Sequence, residues 1–225
     1  MAEFDAFARS YQNLVSESVR ISGEPSDYFA TYKALYLRRV LADLTVKRIL
    51  DYGCGVGSLA RKLRAQFPLA RIDGFDPSAE SIRRVDDSLR RQGTFVTSVE
   101  DLDTGYDLIV LANVLHHVKP MERQTVIGQV FSLLATDGRL TIFEHNPFNP
   151  LTRWAVSQCE FDADAILLKT SETCERLRMA GFRLLHQDFV VFFPRWLAML
   201  RPLEPVLNWC PAGAQYAVLG VKAAV

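Results

Sequence analysis

Two textures divide this chain. Through about residue 44, apolar positions recur at helical spacing, as at Phe4, Phe7, Tyr11, Leu14 and Val15, and a break at Ser22-Gly23-Glu24-Pro25 separates two predicted helices. Ser26 or Asp27 is placed to cap the second, which is expected to run to about Leu44. From Lys47 onward, short apolar runs alternate with helical stretches, the pattern of βαβ units and a parallel sheet. The runs predict strands at 48–52, 71–75, 94–97, 108–112, 140–143, about 183–193 and 215–222. Helices are expected at about 57–67, 78–92, 120–135 and 170–180, with Gly138 after Asp137 and Gly181 after Ala180 as C-terminal stops. Pro194, Pro202, Pro205 and Pro211 predict irregular or broken helix between the last two strands. The organisation expected is a helical cap over residues 1–45 and an α/β core over 46–225, carrying an insertion at about 194–211.

The first strand runs directly into Asp51-Tyr52-Gly53-Cys54-Gly55-Val56-Gly57, a D-x-G-x-G-x-G pattern that opens a helix. Glycines at alternate positions permit backbone angles closed to other residues and let a ligand approach the main chain. The helix that follows points its free N–H groups at that ligand. The spacing is shorter than G-x-G-x-x-G, whose loop admits a pyrophosphate, so a ligand without phosphates such as S-adenosylmethionine suits it. The second strand ends in Asp76-Pro77-Ser78, about 20 residues beyond the glycines, where a carboxylate is placed to accept from both hydroxyls of a ribose. The fourth strand runs into Asn113-Val114-Leu115-His116-His117 and the fifth into Glu144-His145-Asn146-Pro147. Ligands bind outside the carboxyl ends of parallel strands, so these tips converge on one crevice, as expected of an active site.

Composition narrows the alternatives. Lys plus Arg and Asp plus Glu are 26 each, for a formal net charge of zero, and apolar residues make up 49% of the 225 residues. Nothing global points to nucleic acid or an anionic membrane, and the pairs Arg83-Arg84 and Arg90-Arg91 read as a solvated helix face. Cys54, Cys159, Cys174 and Cys210 are scattered, without C-x-x-C or a His at metal spacing, so free thiols, no metal and a reducing cytoplasm are expected. Cys54 reads as a small filler between the glycines. The opening Met1-Ala2-Glu3-Phe4-Asp5 has no basic region followed by an apolar run, so no secretory leader is expected. No uncharged apolar run reaches the roughly 18–20 residues of a membrane span.

The segments ILDYGCGVGSLA, IDGFDPS, FVTSVEDL, YDLIVLANVLHHV and LLATDGRLTIFEH, in this order and spacing, resemble class I S-adenosylmethionine-dependent methyltransferases over about residues 47–185. The resemblance implies a Rossmann-like, doubly wound α/β fold with a seven-stranded, mostly parallel sheet whose last strand is antiparallel. It implies that Asp51, Gly53, Gly55 and Gly57, with Cys54 among them, cradle the methionine part of the cofactor, and that Asp76, beside Pro77, holds the ribose. Val99 would meet the adenine edge through its N–H, and Ala112 or Asn113 would meet the methionine amine through a main-chain carbonyl. Where the family often has Asp before the adenine-contacting residue, this chain has Ser98. The amino-terminal helices resemble the cap of such enzymes, with Tyr11 covering the cofactor and Lys33 pairing with its carboxylate. His117 stands where related small-molecule methyltransferases place a catalytic histidine, as general base, with Glu144 orienting it or polarising the acceptor and His145 alongside. His116, adjacent on a helix and therefore about 100° away, is expected to turn into the packing. Asn146, Arg153 and Trp154 are the expected substrate contacts.

The function expected is O-methylation of a small molecule or glycan-like metabolite in the cytoplasm, with S-adenosylmethionine as methyl donor. The alternatives are a catalytically silent cofactor-binding partner subunit and an NAD-dependent oxidoreductase. A nucleic-acid substrate is disfavoured, since no basic stripe and no Asn-Pro-Pro-Tyr-like motif are present. Residues 192–211 are read as a lid or a homodimer contact ahead of a membrane contact, because prolines interrupt any long amphipathic helix.

Overall fold

The computed structural model describes residues 23–25, 27–159, 162 and 164–223; Tyr11, Ser26 and the first predicted helix lie outside them. The strands are β1 (Arg48–Tyr52), β2 (Arg71–Phe75), β3 (Phe95–Val96), β4 (Tyr106–Ala112), β5 (Leu134–His145), β6 (Phe182–Val190) and β7 (Gln215–Lys222). They form one sheet in the order β3-β2-β1-β4-β5-β7-β6. β1 through β5 pair in parallel, and β7 runs antiparallel between β5 and β6. The expected doubly wound sheet with an antiparallel last strand is present. Among the described residues no helix is long and apolar enough to cross a membrane.

The inner strands are apolar at successive positions because both faces of the sheet are covered. Strand alternation divides neighbours between two cores: Ile49, Leu108 and Val110 join one, Leu50, Ile109 and Leu111 the other. The first core is closed by α1 (Tyr28–Val40) through Ala34, Tyr36 and Leu37, and by α2 (Ser58–Gln66) through Leu59, Ala60 and Leu63. The second is closed by α5 (Arg123–Leu133) and α7 (Thr170–Met179). Tyr36 ties α1 to the far side of the sheet, its hydroxyl donating to Asp188 Oδ2 at 2.7 Å.

The structure corrects several expected boundaries: α1 ends at Val40 rather than Leu44, β5 spans Leu134–His145 rather than 140–143, and three further differences have local causes. The helix expected over 78–92 is two short pieces, α3 (Ala79–Arg83) and α4 (Asp87–Arg90). Asp86 adopts an extended conformation and accepts from the Ser88 N–H at 2.7 Å, a local bond that starts a new turn instead of continuing the old one. The helix expected to stop at Gly138 ends at Leu133, and Gly138 lies inside β5. There the register jumps from Tyr106↔Leu134 to Leu108↔Arg139, and a Cβ on Gly138 would lie 2.8 Å from the Tyr106 carbonyl oxygen. β6 ends at Val190, before the expected Phe193, where Val191 takes a φ of 61°. The segment after Pro194 is broken helix as expected: a kinked 3-10 stretch, Arg195–Leu203, then α8 (Glu204–Leu207). Glu204 anchors it, accepting from Tyr32 Oη at 2.7 Å and from the Phe192 and Phe193 N–H groups at 3.1 and 3.2 Å.

Candidate active site

The chain leaves β1 to one side, returns through β4 on the other, and opens a crevice at the carboxyl ends of these strands. A cavity of about 1120 Å³ fills it.

One end is made of backbone and carboxylates. Gly53, Gly55 and Gly57 all have positive φ, at 79°, 52° and 79°, which explains glycine at each. Their surroundings differ. A Cβ at Gly53 would collide with Val114 Cγ2 at 2.5 Å, whereas at Gly55 nothing lies within 4 Å and the backbone faces open space. Gly57 does not line the cavity; it caps α2 and faces Val85 and Leu89, so its role is packing rather than ligand contact. Asp76 closes the loop, accepting from the Gly55 N–H at 2.8 Å and the Ser78 N–H at 2.9 Å. Asp51 is 1% exposed. Burial pushes its carboxyl up to about 7, and its Oδ2 has no hydrogen-bond partner among the described residues. Cys54 and Pro77 line the cavity beside them, with burial holding the Cys54 thiol protonated.

Above this floor lies α1. Lys33, 7% exposed, reaches Asn113 Oδ1 at 2.5 Å. Burial brings its ammonium down to about 8 against the pull of Glu144 and Asp51. Asn113 has a φ of 61° and donates its N–H to the Phe143 carbonyl at 2.8 Å, while its Nδ2 has no hydrogen-bond partner among the described residues. Ala112 and Asn113 both line the cavity.

The other end is a cluster of three histidines and two carboxylates. Here the structure corrects the expected pairing: Glu144 holds His116, not His117. Glu144 Oε2 lies 2.5 Å from His116 Nδ1, and Oε1 accepts from the Val114 and Leu115 N–H groups at 3.1 and 2.7 Å. Leu115–His117 is a 3-10 turn rather than α-helix, and the centroids of the two histidine rings lie 4.1 Å apart. His116 is therefore part of the cluster and lines the cavity. Asp162, which sequence reasoning missed, lies 3.4 Å from both His116 Nε2 and His117 Nε2. Burial alone would strip the proton from His116, but Glu144 and Asp162 outweigh it and raise the imidazole to about 9. Burial, reinforced by the charge on His116, lowers His117 to about 4 and His145 to about 3. Glu144 is held below the usual range because His116 overcomes the cost of burial.

The expected substrate contacts do not meet the cavity. Asn146 is fully buried and spends its amide on structure, donating to the Pro211 and Gly213 carbonyls and accepting from the Phe148 N–H. On α6 (Pro150–Ser157), Thr152, Ala155 and Val156 face the cavity, so Arg153 and Trp154 point to solvent. Ser98 and Val99 begin a 3-10 turn after β3 and do not line the cavity; the Ser98 hydroxyl donates to the Glu100 carboxylate. Between the two ends the walls are apolar, with Val118, Val126, Leu151, Val156, Phe192 and Phe193.

The family model described as "Methyltransferase domain" matches residues 26–187. Among curated proteins the chain is 24% identical over 230 positions to the sterol 24-C-methyltransferase erg6 of Aspergillus fumigatus, covering 90% of this chain and 60% of that protein. It is 25% identical over 202 positions to the malonyl-[acyl-carrier protein] O-methyltransferase of Geobacter sulfurreducens, covering 80% and 75%. The chain thus spans only about three fifths of the length of the sterol enzyme. Among solved structures, magnesium protoporphyrin IX methyltransferase from Synechocystis PCC 6803 with bound SAH superposes with a TM-score of 0.68 at 17% identity, over 98% of this chain and 96% of that one.

Proposed function

The chain belongs to the methyltransferase-domain family, and from that premise we propose that it transfers a methyl group from S-adenosylmethionine to an oxygen of a small, largely apolar acceptor. The observation that carries this reading is the single cavity that joins an open glycine loop, through apolar walls, to the histidine–carboxylate cluster. The cradle fits the cofactor. Gly55 leaves its space empty, and the buried Asp51 Oδ2 and Asn113 Nδ2 offer an acceptor and a donor with no hydrogen-bond partner among the described residues. When bound, S-adenosylmethionine supplies a methyl carbon activated by a sulfonium sulfur that leaves as a neutral thioether.

In this reading the protein contributes alignment and electrostatics. Asp51 accepts from the methionine ammonium, which would keep the carboxyl charged. Lys33 and Asn113 meet the methionine carboxylate. Asp76, which lines the cavity, accepts from ribose hydroxyls through its carboxylate. His117 and His145, held neutral, present ring nitrogens to the acceptor's hydroxyl, and the apolar walls exclude water from the line of transfer. Oxygen as the methylated atom is supported by the neutral His117 and His145 imidazoles, each of which has one ring nitrogen able to accept from a hydroxyl. The named activity of the Geobacter relative is of the same kind.

Titration calorimetry with S-adenosylmethionine and S-adenosylhomocysteine, followed by detection of the demethylated product against a panel of apolar alcohols, phenols and carboxylic acids, tests the reading. Binding with turnover is the expected result. No heat with either compound overturns it, and binding without turnover across the panel would favour a silent partner subunit.

A further inference from the structure

Three of the four histidines in the chain meet at one end of the cavity, with two carboxylates among them. A neutral acceptor calls for hydrogen bonds, not for this density of nitrogen and oxygen donors. We propose that His116, His117 and Asp162 form a binding site for a divalent first-row transition cation of the zinc class, open to the acceptor half of the cavity. The inference rests on the reading of the cavity given above and departs from the sequence-based expectation of no metal.

The geometry carries it. Asp162 Oδ1 lies 3.4 Å from His116 Nε2 and 3.4 Å from His117 Nε2, and one ligand atom from each residue lies within 4.8 Å of the others. Nitrogen and oxygen ligands placed about 2.0–2.2 Å from a tetrahedral cation are separated by roughly 3.4 Å. The second feature is the support behind the first ligand. His116 is 1% exposed, and its Nδ1 is held by Glu144 Oε2 at 2.5 Å, which fixes the ring and leaves Nε2 facing Asp162. A carboxylate behind a histidine is the arrangement that orients metal-ligating imidazoles and raises their basicity. Glu144 is in turn fixed by two backbone N–H groups, so the orientation is inherited from the β4 and β5 strand ends.

Two imidazoles and one carboxylate favour a transition cation over magnesium or calcium, which prefer all-oxygen sets. All three residues line the cavity, so a bound cation would keep coordination positions directed into it. An acceptor hydroxyl oxygen taking such a position would be polarised and would lose its proton to water more readily. With the cation in place, the His117 Nε2 lone pair is spent on coordination, and no histidine base is required.

The test is titration of the chelator-treated full chain with Co²⁺, followed by visible ligand-field absorption and by Zn²⁺ competition. The expected result is one Co²⁺ per chain with tetrahedral or five-coordinate bands. Affinity should fall at least tenfold in Asp162→Asn and His117→Ala, whose side chains are partly exposed and whose loss leaves the sheet intact. Glu144→Gln should cost about 10–100-fold, and His186→Ala, altering the exposed histidine on β6, should change nothing. Circular dichroism and S-adenosylmethionine calorimetry on the same samples report folding and the cofactor half independently. Absence of stoichiometric Co²⁺ binding, or equal affinity in wild type, Asp162→Asn and His117→Ala, overturns the proposal. If either occurs while the cofactor still binds, the methyltransferase reading stands without a metal.

Discussion

Lys33 Nζ lies 2.5 Å from Asn113 Oδ1, joining the middle of α1 to the residue that follows β4. The contact brings a buried ammonium to the carboxyl end of the sheet, between Asp51 and Glu144. Because burial lowers this ammonium to about 8, it is charged below that pH and loses its charge above it. The part of cofactor affinity that Lys33 supplies should therefore be present at pH 7 and decline as pH rises past about 8. Calorimetry at pH 7 and pH 9 checks this, and Lys33→Met should bind more weakly at pH 7 and remove the decline.

Asp76 has a double task, closing the glycine loop and facing the cavity. Asp76→Ala should weaken S-adenosylhomocysteine binding by about 1–3 kcal/mol, the range for losing charged hydrogen bonds. Asp76→Asn, which keeps the acceptor for the Gly55 N–H, should lose less. Equal dissociation constants for wild type and Asp76→Ala would remove the residue from the site.

Asp51 should make the fold less stable as pH rises. Its carboxyl is raised in the folded protein to about 7 from an ordinary 3.8, so the native state holds a proton that the unfolded chain releases. The stability this proton supplies is complete below about pH 4 and is lost between there and about pH 7. Roughly three units correspond to on the order of 4 kcal/mol. Asp51→Asn should gain on wild type across this window in urea denaturation, and should bind cofactor less well.

The glycines should separate by function. Gly53→Ala meets Val114 at 2.5 Å as well as a left-handed backbone, and should lower stability by more than the roughly 1–2 kcal/mol of the backbone penalty. Gly55→Ala meets nothing within 4 Å, so it should carry the backbone cost alone while filling space that the cofactor needs. Thermal unfolding compared with cofactor affinity in the two variants checks the distinction.

Much of the fold was legible because buried strands leave short, apolar-rich runs between helical stretches. β1, β2 and β7 begin and end where their runs do. What escaped was set by local bonds that periodicity does not register. Asp86 restarts a helix by capping it, and Asp137-Gly138, which reads as a helix stop, sits instead at a jump in β4–β5 register. In the site, Asp76 was singled out from its place after β2, Asp51 and Lys33 only through the family resemblance, and all three line the cavity. His116 was not legible: it turns inward and is buried, but the interior it meets holds Glu144 and Asp162, so burial places it in the cluster instead of in apolar packing. Asp162 lies in the connection after α6, which carries no periodic signal, and two adjacent histidines opposite Glu144 were the only hint of a third partner.

Trp196 stands 75% exposed at the cavity wall, on a segment whose far end is pinned to α1 by Glu204 and Tyr32. Trp154 and Trp209 are also exposed but lie outside the cavity. The molecule thus carries one indole able to sense an arriving guest and two that stay as a constant background. A blue shift or quench of intrinsic emission, absent in Trp196→Phe, gives a label-free readout for screening acceptors before any product is known.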